Sequence, residues 1–224
     1  MRNYQTSESL PVGLLLALAG GILDSYSYLN RGQVFATAET GNLVLLGVNL
    51  SQGNWRQVLH YLLPILSFAA GVLATELLRR RLGAGAGHLH WRQPILLTEC
   101  AVLVLVSFLP QGRLDPLANM LISFTSAVQI ECFRTFHGCA CATTMCTGNL
   151  RSGTEHLFRR LTGQGSQSAS KAMLYYALIL SFVAGAVLSG LASPWLKGRA
   201  VLLACLPLLS AFGLMFRSQR MSES

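Results

Sequence analysis

From Ala172 to Leu191 the chain runs 20 residues without a charge, and Ala200 to Phe216 adds 17 more. About 20 apolar helical residues cross the hydrocarbon core of a bilayer. The first block is that long and the second slightly shorter. Only 12% of all 224 residues are charged, against about 25% in soluble domains. The blocks predict an all-α, polytopic membrane helix bundle that occupies the whole chain, 1–224, as one membrane domain.

The formal charge of +8 fits that setting. The Lys and Arg residues lie mostly in short connections, Arg79-Arg80-Arg81 among them, where they act as topology signals and meet anionic lipid headgroups. No basic face or soluble module remains to bind nucleic acid. Met1 to Leu10 carries a single Arg, and the apolar run that follows reaches Asp24 with no small-residue cleavage site, so no cleaved signal is expected. The six Cys sit in or beside apolar segments without a secreted disulfide framework, and the thiols are expected to be reduced.

Six segments read as candidate spans: Pro11–Leu29, Val58–Leu78, Pro94–Leu109, Pro116–Phe136, Ala172–Leu191 and Ala200–Phe216. Two less apolar segments, Val34–Leu50 and Thr143–Leu161, centre on one motif. It stands as Thr40-Gly41-Asn42-Leu43 and again, 107 residues later, as Thr147-Gly148-Asn149-Leu150. At the same offset Asp24 falls on Glu131, Tyr26 on Phe133 and Thr37 on Thr144. Further on, Ile65-Leu66-Ser67-Phe68 matches Ile179-Leu180-Ser181-Phe182 at an offset of 114. The series predicts an internal repeat, 11–110 and 114–217, with Gly163–Ser170 taking the inserted residues. Gly83–Gly87 is a flexible piece of the main polar linker.

Charge arbitrates the topology. If both motif segments cross, eight Lys and Arg fall inside and nine outside, which is no bias. If each enters and leaves on one side there are six crossings, and with both termini inside the count is twelve against five. The positive-inside rule favours the second arrangement. Three crossings per half then make the repeat inverted, an architecture that places transporter sites at mid-membrane. The motif segments become broken or re-entrant, which is tolerated only where protein or a water-filled cavity surrounds them.

Chemistry is sparse. Thr is a good helix N-cap and Gly permits close backbone approach, so Thr40 and Thr147 are expected to begin two half-helices with their N–H groups turned inward. Such ends attract anions and the negative ends of dipoles. Thr40, Gly41, Asn42, Thr147, Gly148 and Asn149 are the candidate substrate-binding residues. The alternative is that the glycines are packing contacts and the Asn side chains bond across helices. Ionisable groups in a membrane are costly and mark candidates for function. Asp24, Glu131 and Glu39 are the candidates for charge or proton linkage, with Arg134 near enough to pair locally with Glu131. Glu99 is a fourth acid in apolar surroundings, and Glu76 is set aside as a partner of Arg79. Cys139, Cys141 and Cys146, near His137, lack the spacing of a metal site, and His60 reads as interfacial. No metal or other cofactor is expected. No nucleophile–base pair, phosphate loop or metalloprotease helix points to an enzyme.

Gly20-Gly21-Ile22-Leu23-Asp24, Val34-Phe35 leading to Thr40-Gly41-Asn42-Leu43, and Thr143 to Leu150 together resemble the YoaK family of bacterial membrane proteins, a domain of unknown function. The resemblance runs from about Pro11 to Phe216. It implies a bacterial inner membrane and about six crossings, and it implies no substrate. After Gln129 it implies a small or amide residue, from which Ile130-Glu131 departs.

The expected function is transport or channelling of a small solute, the lipid bilayer being the one certain partner. A homo-oligomer is left open. The alternative is a membrane scaffold in which the motifs only glue helices. A polar cavity reaching both motifs would favour transport, and a dry seam the scaffold.

Overall fold

The computed structural model describes residues 6–82, 89–136, 139–141, 143–164 and 167–223. The Gly83–Gly87 linker, His137 and Arg2 lie outside the described residues. All six apolar blocks are helical: α1 (Leu10–Asn30), α3 (Trp55–Leu82), α4 (Leu89–Phe108), α5 (Asp115–Cys132), α7 (Ser168–Leu196) and α8 (Cys205–Glu223). The motif segments form the shorter helices α2 (Glu39–Ser51) and α6 (Cys146–Leu161). With 13 residues, α2 is about 20 Å long, too short for a hydrocarbon core of about 30 Å.

Among the described residues, three stretches are long and apolar enough to cross a membrane: Leu10–Asn30, Trp55–Arg81 and Ser168–Phe216. The last is broken at Lys197, where φ turns positive and a 3-10 segment, Lys197–Ala204, leads into α8. The case of α5 is different. It carries Asn119, Ser123, Ser126, Gln129 and Glu131, all buried. Side chains of that kind cannot face lipid, so α5 sits inside the bundle. The outer helices show the opposite pattern: α3 exposes Leu59, Leu66, Leu73 and Leu77, and α7 exposes Leu180, Val187 and Leu191. An apolar outside wrapped around a polar-studded helix suits a lipid solvent.

Side-chain contacts fix helix direction. Arg31, one residue past α1, pairs with Asp115 at the start of α5 at 3.1 Å. Near the start of α1, a Cβ on Gly13 would lie 3.0 Å from the Phe136 ring, just past the end of α5. Hence α1 and α5 are antiparallel. Ser181 Oγ donates to Leu14 O at 2.7 Å and Asn30 Nδ2 to Ser193 Oγ at 2.8 Å, so α7 runs parallel to α1. Ser67 Oγ donates to Met120 O at 2.7 Å and Arg79 to Glu131 O at 3.0 Å, so α3 runs parallel to α5. Arg92 bonds Ser7 at 2.7 Å while Arg31 bonds Leu109 O at 2.9 Å, which sets α4 parallel to α1. Tyr26 donates to Gly198 O at the end of α1, and Cys205 Sγ then donates to Cys100 O, farther back along α4. The chain is therefore already returning where α8 starts.

The α1–α7 and α3–α5 seams are tight for one reason, glycine. A Cβ on Gly21 would fall on the Phe182 carbonyl, and one on Gly185 on the Leu18 carbonyl. A Cβ on Gly71 would come within 2.6 Å of the Phe124 carbonyl. Close backbone approach at small residues is the usual basis of helix association in lipid, where burial alone gives no drive.

Two sequence expectations are corrected. Thr40 and Thr147 are not N-caps: the helices begin one residue earlier, at Glu39 and Cys146, with Ala38 and Met145 in the cap position and no side-chain cap bond. Asn42 explains the first case, because it takes over the loop that precedes α2, as described below. The span expected to reach Phe136 stops as helix at Cys132. Thr135–Phe136 and Cys139–Ala140 then form a short antiparallel hairpin, and Phe136 is fully buried beside Gly13.

Candidate functional site

The loop after α1 folds back on that helix. Thr37 N–H donates to Asp24 Oδ1 at 2.7 Å, and Ala36 N–H to Ser27 Oγ at 3.1 Å. Asn42 fastens the loop from the other side. Its Oδ1 accepts from Phe35 N–H at 3.0 Å, and its Nδ2 donates to Phe35 O at 2.6 Å and to Glu39 Oε2 at 2.8 Å. A fully buried amide with its donor and acceptor both used is a positioning device. It starts α2 at the depth of Asp24. His60, in the first turns of α3, meets Gly32 O at 2.8 Å, level with the end of α1. Thus α2 runs from the middle of α1 back toward the end that the chain has just left.

The second motif arrives at the same depth. A Cβ on Gly20, the middle residue of α1, would lie 2.6 Å from Thr144 Cγ2 and 3.6 Å from the Phe182 ring. Between the two approaches lies a cavity of about 580 Å³, within the usual range for small-molecule sites. Thr37 to Thr40 line one side and Thr144 to Gly148 the other. Asp24, Tyr28, Phe35, Phe68, Ile130 and Phe182 complete most of the wall. Among the described residues, no Lys, Arg or His lines it.

Of the candidate binding residues, Thr40, Thr147 and Gly148 line the cavity, and Gly41, Asn42 and Asn149 do not. Gly41 backs the Phe35 ring, from which a Cβ would be only 2.6 Å away. Asn42 and Asn149 are both buried. Of the acids, Asp24 and Glu39 line the cavity. Glu131 lies outside it and pairs with Arg134 and, at 3.4 Å, with Arg79, which also holds Glu76 at 2.5 Å. Its neighbour Ile130 reaches the cavity instead. Glu99 is buried between α4 and α5 and accepts from Gln129 Nε2 at 2.9 Å. Cys146 lines the cavity, whereas Cys139 and Cys141 are buried in and beside the hairpin.

Four oxygens of lining residues, Asp24 Oδ2, Thr37 Oγ1, Glu39 Oε1 and Thr144 Oγ1, make no hydrogen bond of good geometry among the described residues, although the Thr37 hydroxyl lies beside the Asp24 carboxyl and the Ser123 hydroxyl beside that of Glu39. Asp24, Thr37 and Thr144 are each at most 5% exposed. Buried polar atoms without partners are costly; others occur in the helix seams, at Glu99, Asn119 and Ser189 among them, but at this wall they adjoin open space. The aromatic part of the wall escaped the sequence reading. Phe68 and Phe182 were in view as the last residues of the matched Ile-Leu-Ser-Phe pieces, but only as evidence of duplication.

Comparison with known proteins adds a family and one relative. A family model described as protein of unknown function (DUF1275) matches residues 12–214. The UPF0700 transmembrane protein YoaK of Bacillus subtilis (strain 168) is 27% identical over 188 residues, covering 80% of this chain and 82% of that protein. No solved structure matches at a significant level.

Proposed function

The chain belongs to the DUF1275 family and is a membrane protein, and we propose that it moves a small solute through the cavity between its two Thr-Gly-Asn-Leu segments. The observation that carries this reading is the cavity itself. Both motif copies reach it, it lies at the middle of α1, and its wall holds buried carboxyl and hydroxyl oxygens. A scaffold needs a dry seam at that place.

The helix directions support six crossings. In this reading α1, α4 and α7 cross one way and α3, α5 and α8 the other, while α2 and α6 enter to mid-depth and return. Both termini lie on one side with Arg79 to Arg81, Arg92 and Arg134, so the positive-inside rule makes that side the cytoplasm of a bacterial inner membrane. An inverted repeat is supported by matched contacts. Ser67 to Met120 and Ser181 to Leu14 are counterparts, as are Gly71 against Phe124 and Gly185 against Leu18. These pair α1 with α5 at an offset of 106 rather than 107, so Asp24 corresponds to Ile130, not to Glu131. The loop before the second motif holds the extra residue.

Solute flux into vesicles containing the purified protein tests the proposal. Permeability above that of empty vesicles, for at least one class among small neutral, cationic and anionic probes, is expected. Folded protein that raises permeability to none of them would leave the scaffold reading standing instead.

A further inference from the structure

We propose that the cavity recognises an organic ammonium ion carried on an apolar or aromatic body. The inference rests on the solute-binding reading above and gives that solute a chemical class. Three features of the wall point the same way. First, among the described residues its ionisable side chains other than the Cys146 thiol and the Tyr28 phenol are Asp24 and Glu39, both acidic. Second, buried oxygens of the wall can accept a hydrogen bond from an ammonium group, two on carboxyl groups and two on threonine hydroxyls, which also donate. Third, four aromatic rings share the wall: Tyr28 and Phe35, stacked with centroids 5.0 Å apart, and Phe68 and Phe182. Ring faces attract cations, and aromatic walls with a nearby carboxylate recognise substituted ammonium groups.

The opposing effect is the helix ends. The first turns of α2 and α6 carry Thr40, Thr147 and Gly148 into the wall, and each N-terminus is worth roughly half a positive charge at most. Two such ends would favour an anion if they stood alone. One ionised carboxyl group cancels both, and a second gives the cavity a negative balance. A bare metal cation fits less well, because hard cations need about six oxygen ligands and most of this wall is carbon.

Cys146 supplies the readout, since it lines the cavity and its thiol is free. The full-length protein in phosphatidylglycerol nanodiscs would be alkylated with N-ethylmaleimide and each Cys followed by mass spectrometry. The probes are 2-phenylethylammonium, neutral 2-phenylethanol and anionic 3-phenylpropanoate, which share one aromatic body. The ammonium probe is expected to slow alkylation of Cys146 about tenfold near saturation, with little effect from the other two. Glu39→Gln and Asp24→Asn should each weaken that protection about tenfold, while the buried Cys100 and Cys132 keep their slow labelling as a check of folding. Protection in nanodiscs rich in phosphatidylethanolamine, without added amine, would keep the ammonium chemistry and assign it to a lipid headgroup. Equal protection by the neutral probe, stronger protection by the anion, or protection by none of them would overturn the inference. Protection without flux would overturn only the transport reading, and anion flux would overturn only this one.

Discussion

Arg31 and Asp115 form an ion pair at 3.1 Å that ties the end of α1 to the start of α5, with Arg31 wholly buried. The same guanidinium donates to the carbonyls of Val106 and Leu109 at the C-terminal end of α4, where regular intrahelical partners run out. One side chain thus closes three helix ends. Removing one partner of such a pair leaves the other charge buried and alone, at a cost of about 3–5 kcal/mol. Arg31→Ala should therefore lower the unfolding midpoint sharply in detergent. Asp115→Asn keeps an acceptor and should cost clearly less. Equal, small effects would mean that the pair is solvated.

The α1–α7 seam offers a second check. A Cβ on Gly185 would fall on the Leu18 carbonyl, whereas a Cβ on Gly213 meets nothing within 4 Å. Gly185→Ala should destabilise by about 1–3 kcal/mol, the usual cost of overpacking. Gly213→Ala should be neutral or slightly stabilising, as expected for a helical glycine without a packing duty. Denaturation of both variants side by side would show whether the seam is as close as described, and a tolerant Gly185 would show that it is not.

Asn42 is expected to act on the loop before it acts on any solute. Asn42→Ala removes three hydrogen bonds and leaves the Phe35 N–H and C=O without that partner. A loss of about 1–3 kcal/mol follows, together with faster proteolysis or hydrogen exchange in residues 32–38. A variant with normal stability and an unaltered loop would return Asn42 to the list of direct solute contacts.

Topology can be settled with reporters. Fusions after Ser224 and within Gly83–Gly87 should both report the cytoplasm, and one in the Gln111-Gly112 turn should report the opposite side. The Gly83–Gly87 fusion and the C-terminal fusion on opposite sides would rule out six crossings and with them the inverted repeat.

The outline of the fold was legible because apolar blocks answer to one force. Ala172–Leu191 can only be a buried or lipid-facing helix, and each block so identified holds a helix over most of its length. Local detail was less legible where a tertiary contact outweighs the local signal. Thr40 has the chemistry of an N-cap, yet Asn42 organises the loop and the helix starts at Glu39. Phe136 looked like the end of an apolar span, yet it turns under Gly13 as part of a hairpin. At the site, Asp24, Glu39, Thr40, Thr147 and Gly148 all line the cavity. Glu131 was named on an offset counted through the motif. The α1 and α5 packing register differs from that count by one residue, and one residue on a helix is about 100° of rotation. That rotation is enough to bring Ile130 to the cavity and leave Glu131 to the arginines. Arg31 stands in a short connection just past α1, and nothing in a linear reading indicates that three helix ends converge on it.

The most direct test of the account is solute flux through Gly148→Leu. Gly148 lines the cavity, has an ordinary backbone conformation, and has open space where a side chain would go. The added leucine should enter the cavity without disturbing any helix contact. The account predicts an unfolding midpoint close to that of the unaltered protein, with flux into vesicles reduced at least about tenfold. A Gly148→Leu protein that folds normally and conducts normally would contradict the claim that the cavity between the two motif segments is the path of the solute.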